Sequence, residues 1–299
     1  MNRSILMRIA SVTERLDHAL ASRRLARSRT AAARLIADGQ VEVNGKVVVK
    51  AARTVSDADQ LRVREALAYV SRSAEKLLVA LDEFEIDPSG RVAIDFGAST
   101  GGFTQVLLER GASEVIALDV GHDQLAPILR SDVRVTNIEG ENARYLDATK
   151  LDRRIRAERG DRPALTSADI GLVVGDISFI SLRHIVPAMR ASVPQLRDAV
   201  LLVKPQFEVG RTQISGGIVR DAAVAADAAI DVVREATECG LALAGFVRSP
   251  ITGTHGNREF LAWFRPDDSS DGESGRAPVN RNQQQWEDHI RSTVAGGTA

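Results

Sequence analysis

Short, wholly apolar segments alternate with longer amphipathic ones between residues 72 and 265, and this alternation constrains the fold more than any other feature. Apolar strands separated by helices are typical of a mainly parallel sheet that is covered on both faces. The last two apolar segments follow each other without a helix, which predicts an antiparallel pair at one edge. We therefore expect an α/β, Rossmann-like domain with a seven-stranded sheet whose last strand is antiparallel. The predicted strands are 92–95, 115–119, 133–137, 172–176, 200–204, 243–247 and 260–264, with helices including 102–110, 181–192 and 221–238.

A smaller α+β unit is predicted before this domain. Residues 13–39 show two short apolar helix faces with Gly39 as a stop signal. Alternating valines on both sides of Asn44 and Gly45 predict a hairpin, because both turn residues accept positive φ. Residues 61–63 are expected to form a closing strand. We predict a first domain at 1–64, a linker at 65–72, the larger domain at 73–265, and a mostly disordered tail at 266–299 with one helical turn around Trp286.

The net charge of −1 hides two oppositely charged parts. Residues 1–64 carry 13 basic and 6 acidic side chains, whereas the remaining residues carry 26 basic and 34 acidic ones. A uniformly basic protein that coats nucleic acid is therefore excluded, but a basic docking unit is not. A solvated charged face is one interpretation of the basic cluster, and binding of RNA phosphates is the one we favour. The candidate RNA-binding residues are Arg15, Arg23, Arg24, Arg27, Arg29 and Arg34.

Composition excludes several kinds of site and of sequence segment. A single cysteine, Cys239, excludes a disulfide framework and a cysteine zinc site, and we predict no metal. No apolar run approaches the roughly 18 residues of a membrane span, and the first residues lack the apolar core of a signal peptide. We expect a cytoplasmic protein without a membrane span, acting as a monomer.

A turn of small residues follows the first strand of the larger domain. Backbone N–H groups of such a strand–turn–helix unit approach a ligand at the carboxyl edge of the sheet. Ser99 stands where a dinucleotide fingerprint requires glycine, so the pattern favours S-adenosylmethionine over a nicotinamide or nucleotide phosphate. A tight turn without a ligand stays possible. The candidate cofactor residues are Asp95, Gly97, Ala98, Ser99, Gly101, Gly102, Asp119 for the ribose and Asn142 for the adenine.

Charged residues also follow the later strands. Asp176 and Lys204 end two predicted strands, Glu259 begins the last one, and Lys76 lies on the helix that leads into the first. The chain has 34 arginines but only 5 lysines, and two of these lysines belong to this set. Lysine can lose its proton in a desolvated site whereas arginine effectively cannot, which is a chemical reason to keep lysine there. Ordinary ion pairs are the alternative.

Two resemblances support these interpretations. The segment RLDHALASRRLARSRTAAARLIADGQVEVNGKVV resembles the alpha-L RNA-binding domain of a small-subunit ribosomal protein. The segments YVSRSAEKL, DFGASTGGFT, ALDVGHDQL, GDISFISL, LLVKPQFEVG and GGIVRD resemble the TlyA family, which joins that domain to an FtsJ-like, class I methyltransferase domain. The resemblance covers roughly residues 13–265.

The TlyA resemblance implies an S-adenosylmethionine-dependent rRNA 2′-O-methyltransferase that modifies a cytidine ribose in small-subunit rRNA, large-subunit rRNA or both. It also implies a catalytic Lys-Asp-Lys-Glu tetrad, carried here by Lys76, Asp176, Lys204 and Glu259. We hypothesise that burial and the charge of Lys76 favour a neutral Lys204, which accepts or orients the hydroxyl proton. Two alternatives stay open: a membrane-active cytolysin, because the family is also labelled hemolysin, and a non-catalytic RNA-binding factor for ribosome assembly.

Overall fold

The chain divides between Arg72 and Ser73 into two compact units, which we call the N-terminal and the C-terminal unit. The computed structural model describes residues 13–26, 28–37, 39–63, 69–253, 256–267 and 282–296. Residues 64–68, which include the first half of the predicted linker, lie outside this described part.

The N-terminal unit packs two helices against short strands. Strands β2, β3 and β5 form one antiparallel sheet in the order β3-β2-β5, and β1 pairs with β4 in a second. Leu16, Leu20, Ile36, Val41 and Val55 are buried in their shared core. The elements are β1 (Thr13–Arg15), α1 (Leu16–Ser22), α2 (Arg29–Ala37), β2 (Val41–Val43), β3 (Lys46–Val47), β4 (Thr54–Ser56) and β5 (Leu61–Val63).

The predicted hairpin is present. Asn44 and Gly45 connect β2 to β3 with φ angles of 54° and 75°, the left-handed pair that a two-residue hairpin turn requires. The closing strand at 61–63 is also confirmed, and it pairs with β2. Strands β1 and β4 were not predicted, because Thr13–Arg15 has no apolar residue and Thr54–Ser56 has only one, so neither shows an apolar alternation.

The C-terminal unit is built on a seven-stranded sheet in the order β11-β12-β10-β9-β6-β7-β8. Strands β8, β7, β6, β9 and β10 are parallel, and β12 is antiparallel to both of its neighbours. The predicted α/β architecture, with its antiparallel last strand, is therefore confirmed. The strands are β6 (Val92–Phe96), β7 (Glu114–Leu118), β8 (Val135–Ile138), β9 (Ile170–Gly175), β10 (Asp198–Val203), β11 (Leu241–Arg248) and β12 (Phe260–Pro266).

Helices cover this sheet and bury its apolar side chains. The interior strand β10 is buried along its whole length, as expected for a strand covered on both faces. Most connections between parallel strands contain a helix. For example, α4 lies between β6 and β7. The helices are α3 (Ala74–Glu83), α4 (Gly102–Glu109), α5 (Pro127–Arg130), α6 (Ala148–Arg159), α7 (Val186–Ser192), α8 (Pro205–Glu208), α9 (Ala222–Glu238) and α10 (Gln283–Ala295).

The expectation of a mostly disordered tail is wrong for residues 282–296. Helix α10 spans 13 residues and packs against α9 and β11. Ile290 and Val294 are fully buried in the main core, and Trp286 packs at its edge. Residues 268–281 lie outside the described part of the chain. The tail prediction failed because α10 has only a narrow apolar stripe on an otherwise polar helix, so its stability comes from docking rather than from composition.

Candidate active site

Four charged side chains from distant parts of the sequence meet at one edge of the sheet. Asp176 and Lys204 directly follow the parallel neighbours β9 and β10, so both lie at the carboxyl edge. Strand β12 runs in the opposite direction, and its first residue, Phe260, pairs with Val203 at the end of β10. Glu259, just before β12, therefore arrives at the same edge. Lys76 reaches this edge from the first turn of α3.

The four side chains form a continuous chain of ion pairs. Nζ of Lys76 lies 2.7 Å from Oε2 of Glu259 and 3.3 Å from Oδ2 of Asp176. Nζ of Lys204 lies 2.6 Å from Oδ1 of Asp176. All four are largely buried, with side-chain exposures between 3% and 17%. The formal charges of the two ammonium groups and the two carboxylates sum to zero. Their mutual attraction offsets the free-energy cost of removing each charge from water.

Asp176 is the link between the two lysines. Burial alone would raise the pKa of its carboxyl, but the charges of Lys204 and Lys76, with their hydrogen bonds, outweigh burial and hold the pKa below its ordinary value. Asp176 therefore stays ionised at neutral pH and fixes the positions of both ammonium groups. The predicted tetrad residues are thus brought together by the fold.

Neighbouring residues that the sequence analysis missed complete this cluster. Oγ of Ser178 accepts a hydrogen bond of 2.6 Å from Nζ of Lys204. Nε2 of Gln206 donates to Oε1 of Glu259 at 3.4 Å. A β-carbon at Gly253 would lie 2.0 Å from Oε1 of Glu259, so only glycine leaves room for this carboxylate. Ser178 and Gln206 each lie two residues beyond a predicted strand-end residue, which is the sequence signal that could have found them.

An exposed aromatic ring stands beside the tetrad. Phe179 is 90% exposed and adopts a φ of 69°, a backbone conformation that a bulky side chain rarely takes. Its ring packs at 5.3 Å on that of Phe207, whose centroid lies 5.8 Å from Nζ of Lys204. Phe179 thus presents an apolar face to solvent at the rim of the charged cluster.

The turn of small residues lies at the same edge of the sheet, between β6 and α4. Gly97, Ser99 and Gly101 have φ angles of 80°, 48° and 96°. A β-carbon at Gly97 would lie 3.3 Å from the α-carbon of Ile177, so the turn passes close to the backbone that follows Asp176. The candidate cofactor turn and the tetrad therefore adjoin each other.

Asp95, the last polar residue of β6, is fully buried beneath this turn. Its Oδ2 accepts hydrogen bonds from the backbone N–H and the hydroxyl of Thr104, at 3.0 Å and 2.8 Å. Its Oδ1 has no hydrogen-bond partner among the described residues. Burial raises the pKa of Asp95 to about 7, against the hydrogen bonds from Thr104 and with a further increase from the charge of Asp176.

The other candidate cofactor residues flank the turn. Asp119 follows β7, and its two oxygens accept the N–H groups of Ser99 and Gly121 at 2.8 Å and 2.7 Å, which fixes the carboxylate in place. Asn142 lies beyond β8, where Oδ1 accepts the N–H of Arg144 and caps a short 3-10 turn. Ala98 and Gly102 are buried within the turn and the start of α4.

The candidate RNA-binding arginines differ in their surroundings. Arg23 donates to the carbonyl oxygens of Ser56 and Asp59, so it holds a loop of its own unit. Arg15 and Arg29 are about half exposed and both contact Asp17, whereas Arg24 is exposed. Arg27 and the side chain of Arg34 lie outside the described residues.

The comparisons with known proteins agree with this geometry. Residues 69–266 match the family model described as FtsJ-like methyltransferase, and residues 14–61 match the model of the S4 domain. The fold and the site therefore define a methyltransferase domain of the FtsJ-like class joined to an S4 domain. Among the described residues, no helix combines the length and apolarity needed to cross a membrane.

Individual relatives narrow the class further. The chain is 44% identical over 254 residues to the 16S/23S rRNA (cytidine-2′-O)-methyltransferase TlyA of Mycobacterium tuberculosis, covering 84% of this chain and 89% of the relative. It is 38% identical to Hemolysin A of Brachyspira hyodysenteriae, covering 84% and 99%. A solved structure described as a hemolysin from Streptococcus thermophilus is 36% identical, covers 96% of both chains and superposes with a TM-score of 0.66. The chain belongs to the TlyA family of FtsJ-like methyltransferases.

Proposed function

We propose that this chain transfers the methyl group of S-adenosylmethionine to the ribose 2′-hydroxyl of a cytidine in the rRNA of the small subunit, the large subunit or both. The observation that carries the proposal is the buried, charge-balanced chain of Glu259, Lys76, Asp176 and Lys204, which adjoins the glycine turn at the carboxyl edge of the sheet. The named activity of the Mycobacterium tuberculosis relative supports the same reaction.

The residues at the turn fit this cofactor. S-adenosylmethionine carries a sulfonium and an ammonium group, and the buried Oδ1 of Asp95 is an acceptor with no partner among the described residues. Asp119, already oriented by two backbone N–H groups, keeps lone pairs for ribose hydroxyls. When bound, the cofactor supplies an electrophilic methyl group. The residues proposed to hold it are Asp95, Gly97, Ala98, Ser99, Gly101, Gly102, Asp119 and Asn142.

The tetrad is proposed to position the ribose hydroxyl and to accept its proton. This hydroxyl is a poor acid, so it needs a group that positions it and takes its proton. We assign this role to Nζ of Lys204, which Asp176 and Ser178 hold in place from two sides. The ammonium group must first release one proton to solvent; the neutral amine then takes the hydroxyl proton as the oxygen attacks the methyl group, and this restores the ammonium form. Lys76 and Glu259 extend the ion-pair chain and keep the site neutral overall. Holding the oxygen in line for attack is the largest contribution that these residues make.

The exposed ring of Phe179 supports a nucleotide acceptor. Aromatic side chains at the rim of a site stack on bases, and stacking contributes about 1–3 kcal/mol per base. The N-terminal unit, with its net positive charge and S4 match, is proposed to supply rRNA affinity through phosphates and shape.

Methylation of purified ribosomal subunits with labelled S-adenosylmethionine, followed by mapping of the 2′-O-methylated nucleotide, tests the proposal. Lys204→Ala should lower the turnover number by about 10²–10⁴-fold, because the proton then has no positioned acceptor. Lys204→Arg should be equally impaired, since arginine keeps the charge but cannot take up a proton. Lys150→Ala, which removes a lysine paired with Glu141 outside the tetrad, is the matched control. Turnover near that of the wild type in Lys204→Ala would show that the assignment is wrong.

The name of the Brachyspira hyodysenteriae relative favours one other candidate, a membrane-active protein. Leakage of dye from lipid vesicles by the purified chain would measure it directly. If leakage occurs and is unchanged in Lys204→Ala, the two activities are separate properties of the chain.

A further inference from the structure

Asp17 is a buried carboxylate in the strongly basic N-terminal unit. Its side chain is only 8% exposed, although aspartate is rarely buried unless it is paired. It lies in the first turn of α1, where a negative charge also interacts favourably with the helix dipole. The arginine cluster of this unit has Asp17 as its only acidic residue between positions 15 and 34.

Two arginines converge on this one carboxylate. Arg15 forms a two-pronged contact, from Nε to Oδ1 at 3.0 Å and from Nη2 to Oδ2 at 3.1 Å. Arg29, at the start of α2, donates from Nη2 to the same Oδ2 at 3.2 Å. The hydrogen bond from Arg15, opposed by burial and reinforced by the hydrogen bond from Arg29, lowers the pKa of Asp17 to about 2, so the carboxylate is ionised at any physiological pH.

The two guanidinium groups remain available on their outer sides. Arg15 and Arg29 are 51% and 58% exposed, whereas the carboxylate between them is hidden. Each guanidinium carries five N–H donors, so donors remain on both after the contacts with Asp17. Without a shared counter-charge, two neighbouring guanidinium groups would repel each other and their long side chains would sample many rotamers.

We propose that Asp17 is a positioning residue for RNA binding: it holds Arg15 and Arg29 side by side as a preorganised site for a backbone phosphate. The inference rests on the proposed function, in which the N-terminal unit binds rRNA. The expected change in RNA affinity is opposite to the change that net charge alone would predict. Removing a negative charge from an RNA-binding face should weaken binding here, because the ordering of two arginines is lost together with the carboxylate.

Asp17→Asn in the full-length protein is the central variant. Asparagine can still accept the hydrogen bond that the N–H of His18 donates to Oδ1, so the start of α1 keeps its partner. Although the net charge rises by one, we expect affinity for purified ribosomal subunits to fall about tenfold. The slope of log affinity against log salt should become shallower by roughly 1, since a phosphate contact is lost. The turnover number at saturating subunits should stay unchanged, and KM should rise.

Asp57→Asn is the matched control, because it removes the same charge from an exposed carboxylate that contacts Arg23 in the same unit. It should leave affinity unchanged or slightly raise it. Arg15→Lys is a second test that does not remove the carboxylate: lysine keeps the charge but cannot form the two-pronged contact, so affinity should again fall.

The outcomes separate the inference from the function on which it rests. If Asp17→Asn binds subunits as tightly as the wild type, or more tightly, the positioning role is wrong. The same holds if Asp17→Asn weakens binding equally when Arg15 and Arg29 are both alanine, because the effect then does not pass through them. If the wild type itself neither binds nor methylates subunits, the proposed function fails instead.

Discussion

Asp95 lies on β6 and Asp176 directly follows the neighbouring strand β9, and their surroundings shift their pKa values in opposite directions. Burial dominates at Asp95, which among the described residues accepts hydrogen bonds from Thr104, and raises its pKa to about 7. Two ammonium groups outweigh burial at Asp176 and lower its pKa. Two buried carboxylates with opposed shifts are typical of sites that divide tasks between them. Here one carboxylate anchors the lysines and the other faces the candidate cofactor turn.

The shift at Asp95 predicts a proton-linked affinity for the cofactor. A cationic ligand favours the ionised carboxylate, so binding should lower the pKa of Asp95 and release protons at and below neutral pH. Affinity for S-adenosylmethionine should therefore increase from about pH 6 to about pH 8 and then level off. Calorimetry at about pH 6.5 in buffers of different ionisation enthalpy measures the number of protons released on binding.

Asp95→Asn supplies the control for this measurement. Asparagine has no charge to titrate, so the variant should bind more weakly and lose the pH dependence. Proton uptake by the wild type, or an unchanged pH profile in Asp95→Asn, would contradict the prediction.

The sequence predicted which strand ends carry the tetrad but not how its members pair. Asp176 and Lys204 could be placed together because the carboxyl ends of parallel strands share one edge. The contact of Lys76 with Glu259 depends on how α3 crosses the sheet, which no local pattern encodes. Ser178 was missed because its sequence signal, a position two residues beyond a strand-end residue, is shared with ordinary turn residues.

At the scale of elements, α10 shows what composition alone cannot reveal. Trp286, Ile290 and Val294 recur every fourth residue, which is a helical stripe only one side chain wide. The polar face of α10 is fixed to α9 by ion pairs, from Arg234 to Glu287 at 2.7 Å and from Arg291 to Asp227 at 2.8 Å. These partners are distant in sequence, so the docking could not be predicted from the tail itself.

Helix α10 also contacts the segment that carries Glu259. Nη1 of Arg258 donates to the carbonyl oxygen of Val294 at 3.2 Å, in the last turn of α10, where a positive charge is favourable. The helix therefore fixes the residue next to the tetrad carboxylate in addition to covering the core.

We expect Ile290→Ala to destabilise the C-terminal unit by about 2–5 kcal/mol, because it leaves a cavity between α10 and the main core. Urea unfolding measures the free energy of unfolding. Ser292→Ala, on the exposed side of the same helix, should change it by less than about 0.5 kcal/mol. Equal effects of the two substitutions would mean that α10 does not contribute to the core in solution.

At the scale of the whole molecule, the two units divide charge as well as fold. Residues 1–64 carry the excess of basic side chains, and the remaining residues carry the excess of acidic ones. The tetrad and the candidate cofactor turn lie wholly within the C-terminal unit. Local patterns predicted this division. The net charge changes sign at about the place in the sequence where short strands give way to long alternating strands and helices.

Separating the units near residue 66 should therefore separate binding from chemistry. Residues 66–299 keep every residue assigned to the cofactor and the tetrad, so their affinity for S-adenosylmethionine should match that of the full chain. Their affinity for ribosomal subunits should fall by at least about tenfold, because a net negative fragment loses the phosphate contacts of the N-terminal unit. Calorimetry with the cofactor and methylation of subunits at increasing concentration measure the two properties on one sample. Full methylation by the fragment at the KM of the intact chain would show that the C-terminal unit recognises rRNA unaided.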